Sequence, residues 1–294
     1  MITRCHKLDA LELVGRLKRA PAEHKGDAGK VILVGGAPGM AGALLLAGNA
    51  CLHLGAGWTM LEMLDPSTAH ACLEHPELMI RLADSDPTLV INKNQPDVIA
   101  IGPGLGMSAL AKHWVGDIIS HTQMPIVIDA DALQLIATSP ELLHLLKIRN
   151  EQFPGQSVLT PHPGEAAQLL KTTAAQIQEN RIAALQQLVD LTQSIVVLKG
   201  QHTLIASPDA PILECDAGNP GMGSGGMGDI LTGSIAAIAA QGIRHHLTLW
   251  EATGIAVQLH AMAADSLVNQ GLGPIGLTAS ETILEMRSLL NKLL

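Results

Sequence analysis

The sequence has almost no aromatic residues: Phe, Trp and Tyr make up 1% of its 294 residues, and Tyr is absent. Proteins that bind single-stranded nucleic acid stack bases on aromatic side chains, so the composition argues against this class. Positive charge is also scarce, with 18 Lys and Arg against 27 Asp and Glu and a formal net charge of −9. Such a chain has no overall attraction for nucleic acid or an anionic membrane. A phosphorylated ligand must then be bound locally, by backbone amides and a few lysines.

Long hydrophobic runs and paired cysteines are missing as well. No stretch approaches the roughly 20 apolar residues that a membrane-spanning helix needs. The N-terminus, MITRCHKLDALELVGRLKRAP, is charged throughout and has no apolar core of the kind found in signal peptides. The four cysteines contain no CxxC pair, and we interpret them as incidental thiols in a reducing compartment: Cys5, Cys51, Cys72 and Cys215. We therefore expect a cytoplasmic protein with no membrane partner and no nucleic acid partner.

Hydrophobic residues are plentiful, at 47%, and form short β-branched runs that alternate with helical patterns. Apolar strands that alternate with helices are typical of α/β proteins with a mostly parallel central sheet and helices on both faces. Two closely spaced runs after residue 200 predict an antiparallel hairpin at the sheet edge, and the turn-rich segment 84–96 predicts a surface loop. We expect one domain over 25–294, preceded by an N-terminal extension, 1–24, that forms a single amphipathic helix.

Several glycines, several charged residues and one histidine lie at the ends of the predicted strands. In parallel α/β sheets, ligands bind at the carboxyl ends of the strands. The segments at these ends are Gly35-Gly36, Gly102–Gly106, Asp129–Asp131, Thr160–Glu165 and Lys199-Gly200. Their shared location predicts a ligand site at this edge of the sheet.

The richest segment is GNPGMGSGGMGDILTG, which has seven glycines between residues 218 and 233. Its glycines lead directly into a predicted helix, whose free N–H groups and positive dipole end favour an anion such as phosphate. Asp229 lies in the first turn of that helix. Asp is common there as a capping residue. A carboxylate beside an anion site repels the anion, however, and this cost indicates a chemical role. Taking a proton from an attacking hydroxyl is such a role.

This segment closely resembles the signature of the ADP-dependent NAD(P)H-hydrate dehydratases, which belong to the ribokinase-like superfamily. Six further blocks match the family in its order, over nearly the whole chain after about residue 24: HKGDAGKVILVGG, GMAGALLLAGNACLHLGAGW, DVIAIGPGLG, PIVIDADAL, VLTPHPGEAAQLL and VVLKGQHTLIA. The resemblance implies a ribokinase-like three-layer sandwich. A lone GxGxG such as Gly102–Gly106 would have been weak evidence and could suggest a dinucleotide-binding fingerprint.

The resemblance also implies a role for particular residues. It makes Asp229 the catalytic base, and it assigns the adenine nucleotide to Gly228 and to the KGxxT segment: Lys199, Gly200, Gln201, His202 and Thr203. A Lys at a strand end offers a point charge to phosphate, although a solvated Lys beside a glycine turn is the alternative. We expect the anion loop to consist of Gly225, Gly226 and Met227.

The hydrated nucleotide is assigned by the same resemblance to Ala43, Gly106 and His162, together with Asp229. His162 lies between two prolines, which restrict its backbone, and Glu165 is close enough to orient it; a loop-stiffening role is the alternative. Asp129 and Asp131 are interpreted as structural or linked to magnesium through water. No cluster with the spacing of protein metal ligands is visible, so no metal ligand is assigned.

The implied reaction is phosphorylation of the hydroxyl of the S-epimer of hydrated NADH or NADPH by ADP or ATP, followed by loss of phosphate. The expected products are NADH or NADPH, AMP or ADP, and phosphate, with Mg²⁺ bridging the nucleotide phosphates. No epimerase domain precedes the first block, so we expect a separate epimerase to work alongside this chain. Relatives suggest a homo-oligomer, in particular a homotetramer.

Two other functions compete with this one. A small-molecule kinase of the same superfamily, of the hydroxyethylthiazole or hydroxymethylpyrimidine type, would use the same glycine loop and base. The THPGE block together with GPGLG favours the dehydratase. A catalytically silent nucleotide-binding module would need the loop amides but not Asp229.

Overall fold

A computed structural model describes residues 5–67 and 75–294, so Cys72 lies outside the described residues. Within these ranges one sheet of ten strands has the order β1-β10-β9-β8-β7-β6-β5-β2-β3-β4. The strands are β1 Cys5–Lys7, β2 Lys30–Gly35, β3 Trp58–Met63, β4 Met79–Leu82, β5 Val98–Ile101, β6 Ile126–Ile128, β7 Ser157–Leu159, β8 Ile195–Leu198, β9 Thr203–Ser207 and β10 Ala210–Cys215.

Helices precede, connect and follow these strands along the chain. The α-helices are α1 Ala41–His53, α2 Pro87–Asn94, α3 Ala109–His121, α4 Ala130–Thr138, α5 Pro140–Gln152, α6 Pro163–Leu170, α7 Ala174–Glu179, α8 Arg181–Thr192, α9 Met227–Gly242, α10 Leu249–Asn269 and α11 Ala279–Leu293. Two 3-10 helices are Leu11–Leu17 and Pro220–Gly223. In the described residues no helix combines the length and apolarity needed to cross a membrane.

The strand pairing confirms the predicted architecture. Strands β4, β3, β2, β5, β6, β7 and β8 run parallel to one another, and β8, β9 and β10 are joined antiparallel. The predicted hairpin, β9 and β10, is therefore confirmed, but its expected place at the sheet edge is wrong, because β1 lies outside β10. Every residue of β5, β6, β7 and β8 is buried, because helices cover both faces of the sheet. Their carboxyl ends therefore meet at one edge, where the glycine and charged segments follow.

Helix α9 lies at the centre of one face of the sheet. It contacts β2, β5 and β6 on one side and α1, α10 and α11 on the other, and 14 of its residues are buried. This packing explains why its sequence, MGDILTGSIAAIAAQG, has small or apolar residues on all sides, since a helix surrounded by protein has no polar face. The first turn of α9 is thus fixed by the core itself.

Gly233 allows α1 and α9 to approach each other closely. A Cβ atom at this position would lie 2.0 Å from the carbonyl oxygen of Ala47 on α1. We therefore expect Gly233→Ala to lower the free energy of unfolding by about 1–3 kcal/mol, the usual cost of overpacking. Gly116 on α3 is the matched control: its added Cβ would lie 3.6 Å from Leu142, an ordinary contact, so Gly116→Ala should stabilise the helix by about 1 kcal/mol. Thermal unfolding of both variants tests this, and equal melting temperatures would contradict it.

The segment 84–96 is not the surface loop that its turn-rich composition predicts, and that prediction is wrong. Most of it, Pro87–Asn94, forms helix α2, because Asp86 accepts a hydrogen bond from the Leu89 N–H at 3.0 Å and Pro87 occupies the first turn. An Asp cap followed by Pro is a helix start. Val90 and Ile91 bury its inner side.

The N-terminal segment also differs from the single amphipathic helix expected before residue 25. Strand β1 pairs parallel with β10, and Leu11–Leu17 is a 3-10 helix whose Val14 and Leu17 join the core. Without β1, the outer edge of β10 would have unpaired backbone N–H and C=O groups, and pairing with β1 gives them hydrogen-bond partners. The division of the chain at residue 24 stays a prediction.

Candidate functional site

The glycine loop ends in an uncapped helix. Gly226 has φ +90°, in the left-handed region that glycine adopts without strain. Helix α9 starts at the next residue, Met227, and no side chain caps its N-terminus. The first N–H groups of a helix need partners from outside it, and an anion is the partner that its dipole favours. Asp229 is the third residue of α9 and stands at this end.

A buried ion pair lies beside this helix. Asp129 follows β6 and is 1% exposed, and its Oδ1 lies 2.7 Å from Nζ of Lys199, which follows β8. Its other oxygen, Oδ2, accepts a hydrogen bond of 2.9 Å from the Thr232 hydroxyl on α9. The pair therefore ties the sheet edge to the helix that carries Asp229. A Cβ atom added at Gly228 would lie 3.2 Å from Nζ of Lys199, so Lys199 reaches the first turn of α9.

The Asp229 carboxyl has an unusual environment. Burial, and next to it the negative charge of Asp129, raise the pKa of Asp229 to about 7, although Lys199 acts in the opposite direction. Asp131 and Glu165 add further negative charge. A carboxylate with a pKa near neutrality accepts a proton far better than one of ordinary acidity. The geometry therefore supports proton abstraction at this position.

His162 and Glu165 form the N-terminal cap of α6. Nδ1 of His162 accepts hydrogen bonds from the N–H groups of Gly164, at 2.9 Å, and Glu165, at 3.3 Å. Oε2 of Glu165 accepts from the His162 N–H at 2.7 Å. Burial, and then the charge of Lys199, lower the pKa of His162. Burial raises the pKa of Glu165 to about 7, and Lys199 partly opposes this rise. Glu165 thus lies beside His162 in a capping box, and its role in orienting the ring stays a prediction.

Gly106 follows β5, and Ala43 lies in the first turn of α1. The N–H of Gly106 donates to Oδ2 of Asp131 at 2.8 Å, so this amide already has a partner in the protein. A Cβ atom at Gly104 would lie 3.2 Å from that of Ala43, which places the GPGLG turn against the start of α1. The loops after β2 and β5 therefore meet here, whereas the glycine loop and Lys199 meet on α9.

The KGxxT segment forms a tight turn between β8 and β9. Arg181 of α8 holds it by donating to the carbonyl oxygens of Leu198 at 3.0 Å, Lys199 at 3.3 Å and His202 at 3.3 Å. The hydroxyl of Thr203 donates to the Gly200 carbonyl at 3.0 Å.

Two predicted nucleotide residues in this turn do not join the buried cluster. The His202 ring pairs with Glu214 at 2.8 Å on the side of β10 and is 50% exposed. Gln201 is exposed as well.

Metal binding by the protein alone has little support in the part of the chain that the structure describes. No group of three or more His, Cys, Asp or Glu side chains there could hold a metal ion. The carboxylates of Asp129 and Asp131 already accept hydrogen bonds from Lys199, Thr232 and the Gly106 amide. A divalent ion would need most of its ligands from a bound nucleotide.

Sequence reasoning missed several residues that support the site. Asp265 of α10 accepts hydrogen bonds of 2.8 Å from the Gly218 N–H and from Nδ2 of Asn219, at the start of the glycine loop. Burial, and then Lys199, lower the pKa of His260 to about 4, so this α10 residue is neutral behind the ion pair. Arg181 and Thr232 were missed too. No local pattern announces these contacts, because each joins elements that are distant in sequence.

The family of this chain follows from its match to a protein-family model. The family model described as NAD(P)H-hydrate dehydratase matches residues 31–284. The chain belongs to this family. The resemblance on which the sequence interpretation rested is therefore confirmed, and it extends over both the glycine loop and the α6 cap.

Individual relatives agree with membership in the NAD(P)H-hydrate dehydratase family. The chain is 38% identical to the bifunctional NAD(P)H-hydrate repair enzyme of Coxiella burnetii, over 93% of this chain and 53% of that protein. It is 36% identical to the ADP-dependent (S)-NAD(P)H-hydrate dehydratase of Neisseria meningitidis, over 94% and 89%. The chain thus spans about half the length of several relatives it matches.

A solved structure supports the fold of the family. The ADP/ATP-dependent NAD(P)H-hydrate dehydratase of Bacillus subtilis, co-crystallised with ATP/Mg²⁺, is 25% identical and superposes with a TM-score of 0.81. The alignment covers 99% of each chain. The ribokinase-like sandwich implied by the sequence is confirmed.

Proposed function

We propose that this chain dehydrates the S-epimer of hydrated NADH or NADPH at the expense of ADP or ATP, and so repairs damaged nicotinamide nucleotides. One observation carries the proposal: Asp229, with a pKa raised to about 7, stands in the first turn of an uncapped helix. A base and an anion site at one point suit the transfer of a phosphoryl group to a hydroxyl. Family membership supplies the substrate class.

In the proposed reaction Asp229 accepts the proton of the substrate hydroxyl, and the hydroxyl oxygen attacks the terminal phosphorus of the nucleotide. The bond from phosphorus to the bridging oxygen breaks, and AMP leaves when ADP is the donor. The carbon–oxygen bond of the phosphate ester then breaks, assisted by the electron pair of the ring nitrogen. The neighbouring ring carbon releases its proton to solvent, so the hydrate loses the elements of water and the hydroxyl oxygen departs in phosphate. Phosphorylation makes a poor leaving group into a good one.

The proposed roles of the other residues follow from their places. Lys199 and the backbone amides of Gly225, Gly226 and Met227 would hold the transferred phosphoryl group, because charge spreads over its oxygens during transfer. The turn from Gly200 to Thr203 and Gly228 would contact the nucleotide. Ala43, Gly106 and His162 would contact the hydrated ring nucleotide. Mg²⁺ would be carried mainly by the nucleotide phosphates and would neutralise their charge.

Three finer points belong to the same proposal. The free thiols of Cys5, Cys51 and Cys215 support a reducing compartment, the cytoplasm. Ile275, 97% exposed, and Leu272, 49% exposed, support burial of this loop in a homo-oligomer, which we propose is a tetramer. An epimerase would supply the S-epimer, because a single base and phosphoryl site acts on one hydroxyl configuration.

Activity should depend on pH through Asp229. The base works as a carboxylate, and its pKa is raised from 3.8 to about 7. We therefore expect kcat/KM for the hydrate to rise about tenfold per pH unit up to neutrality and then to level off. Initial rates across a pH series measure this. Half-maximal activity near 3.8 would contradict the assigned environment of Asp229.

A comparison of substrates separates the dehydratase from the kinase alternative. The purified chain is incubated with ATP or ADP and either hydrated NADH, a hydroxyethylthiazole or a hydroxymethylpyrimidine. Both chemistries consume nucleotide, but only dehydration restores the absorbance of the reduced nicotinamide. We expect turnover with the hydrate alone. Phosphorylated thiazole or pyrimidine, without action on the hydrate, would favour the kinase.

A further inference from the structure

The carboxylate of Glu165 connects two residues that the proposed function assigns to different substrates. Its Oε1 lies 3.4 Å from Nε2 of His162, and its Oε2 lies 3.9 Å from Nζ of Lys199. The Glu165 side chain is only 12% exposed, so water screens these contacts weakly. His162 follows β7 and Lys199 follows β8, and these strands are paired neighbours. The sheet therefore fixes the spacing that Glu165 bridges.

The His162 ring presents one tautomer to Glu165. Nδ1 accepts two backbone N–H groups, so it carries no hydrogen when the ring is neutral. Burial and the charge of Lys199 lower the pKa of His162, and the ring is therefore neutral at physiological pH. Its hydrogen then lies on Nε2, the atom that faces Oε1 of Glu165.

We propose that Glu165 is a positioning residue that fixes the His162 ring and the Lys199 ammonium group relative to each other, and so aligns the hydrate with the phosphoryl donor. This inference rests on the proposed function and deepens it. Alignment has a large kinetic effect, because a displacement of about 1 Å costs about 10²-fold in rate. The Glu165 carboxylate thus acts through its two neighbours and need not touch either substrate.

Helix capping is the competing explanation for Glu165, and the chain itself provides the means to separate the two. Oε2 also accepts the His162 N–H and completes a capping box. Three other helices begin with such a box, formed by Thr173 and Gln176, Thr248 and Glu251, and Thr278 and Glu281. In the first of these a Gln does the capping. Glu165→Gln therefore keeps the cap and removes the charge.

The test compares Glu165→Gln with Glu281→Gln, which makes the same change in the box of α11. We expect Glu165→Gln to lower kcat by about tenfold or more, with the two variants equally stable in thermal unfolding. Its Kd for ADP in calorimetry should change less than kcat does. His162→Asn supplies the coupling measurement, because Asn is a good N-cap but has no group in place of Nε2–H. In that background the further effect of Glu165→Gln on kcat should largely disappear.

A spectroscopic readout keeps the inference separate from the activity. Above neutral pH, where the Glu165 carboxyl is ionised, the hydrogen on Nε2 of His162 faces a carboxylate oxygen at 3.4 Å. The ¹⁵N chemical shift of Nε2 and the exchange rate of its hydrogen should therefore change in Glu165→Gln and stay at their wild-type values in Glu281→Gln. Wild-type kcat together with unchanged His162 ring signals would overturn the inference. Equal effects of Glu165→Gln on kcat in the wild-type and His162→Asn backgrounds would overturn it too. Should the wild type leave hydrated NADH untouched, the proposed function fails and the His162 ring signals alone decide on Glu165.

Discussion

Asp229→Asn is expected to reduce the turnover of hydrated NADH by about 10²- to 10⁴-fold, the range attributed to a lost general base. Asn has the size and shape of Asp but cannot take the hydroxyl proton. The first turn of α9 should keep its position, because 14 residues of this helix are buried. We therefore expect the loss in kcat, while calorimetry should still detect ADP binding.

The stability of the same variant gives a second, independent check. Burial raises the pKa of Asp229 to about 7, so this carboxyl binds its proton more tightly in the folded protein than in the unfolded chain. The free energy of unfolding therefore falls as the pH rises from 3.8 to about 7, and the whole loss remains above that range. Above neutral pH, Asp229→Asn should melt at a higher temperature than the wild type. Asp190→Asn on the exposed side of α8 is the control, with no expected change in rate or melting. A fully active Asp229→Asn enzyme would rule out this residue as the base.

Lys199→Met is expected to cause the largest combined loss of stability and nucleotide affinity. The variant leaves Asp129, only 1% exposed, without the cation 2.7 Å from its Oδ1. Breaking a buried ion pair by removing one partner typically costs about 3–5 kcal/mol. The lost ammonium group should also weaken ADP binding by about 1.5–3 kcal/mol, the value of a charged hydrogen bond. Urea unfolding and calorimetry measure the two effects.

Two further variants separate the causes. Lys7→Met breaks the exposed pair between Lys7 and Asp216, whose side chains are 70% and 51% accessible. It should leave the free energy of unfolding almost unchanged, because solvent screens an exposed pair. The double variant Asp129→Asn with Lys199→Met should recover part of the stability, because no uncompensated carboxylate remains, but none of the ADP affinity. A Lys199→Met protein as stable as Lys7→Met would contradict the role of the buried pair.

Much of the fold was predictable because its strands are buried on both faces. Continuous apolar runs such as VILVGG and IVVLKG are typical of strands in the interior of a sheet that is covered on both faces. Helix α2 was not predicted because it is preceded and begun by residues that often form turns: Asp84, Ser85, Asp86 and Pro87. Strand β1 escaped because three residues carry no periodic signal, and only the edge of β10 makes them a strand.

The candidate site was predictable in part. Glycine density and the position of Asp229 are local features of the sequence, and they are enough to predict an anion site with a base beside it. The link from Asp129 through Lys199 to Glu165 depends on β6, β7 and β8 being neighbours in the sheet, and strand order does not follow from composition. The contacts of Asp265 and Arg181 require the packing of α10 and α8. The substrate assignments of Ala43, Gly106 and His162 stay predictions.

One measurement tests the central claim most directly. Purified protein is added to hydrated NADH and ADP, and recovered NADH, AMP and phosphate are quantified in the same sample. Phosphorylation followed by elimination predicts equal amounts of all three products, with the reduced-nicotinamide absorbance restored only when nucleotide is present. Recovery of NADH without nucleotide consumption, or no recovery with either ADP or ATP, would contradict the proposed function.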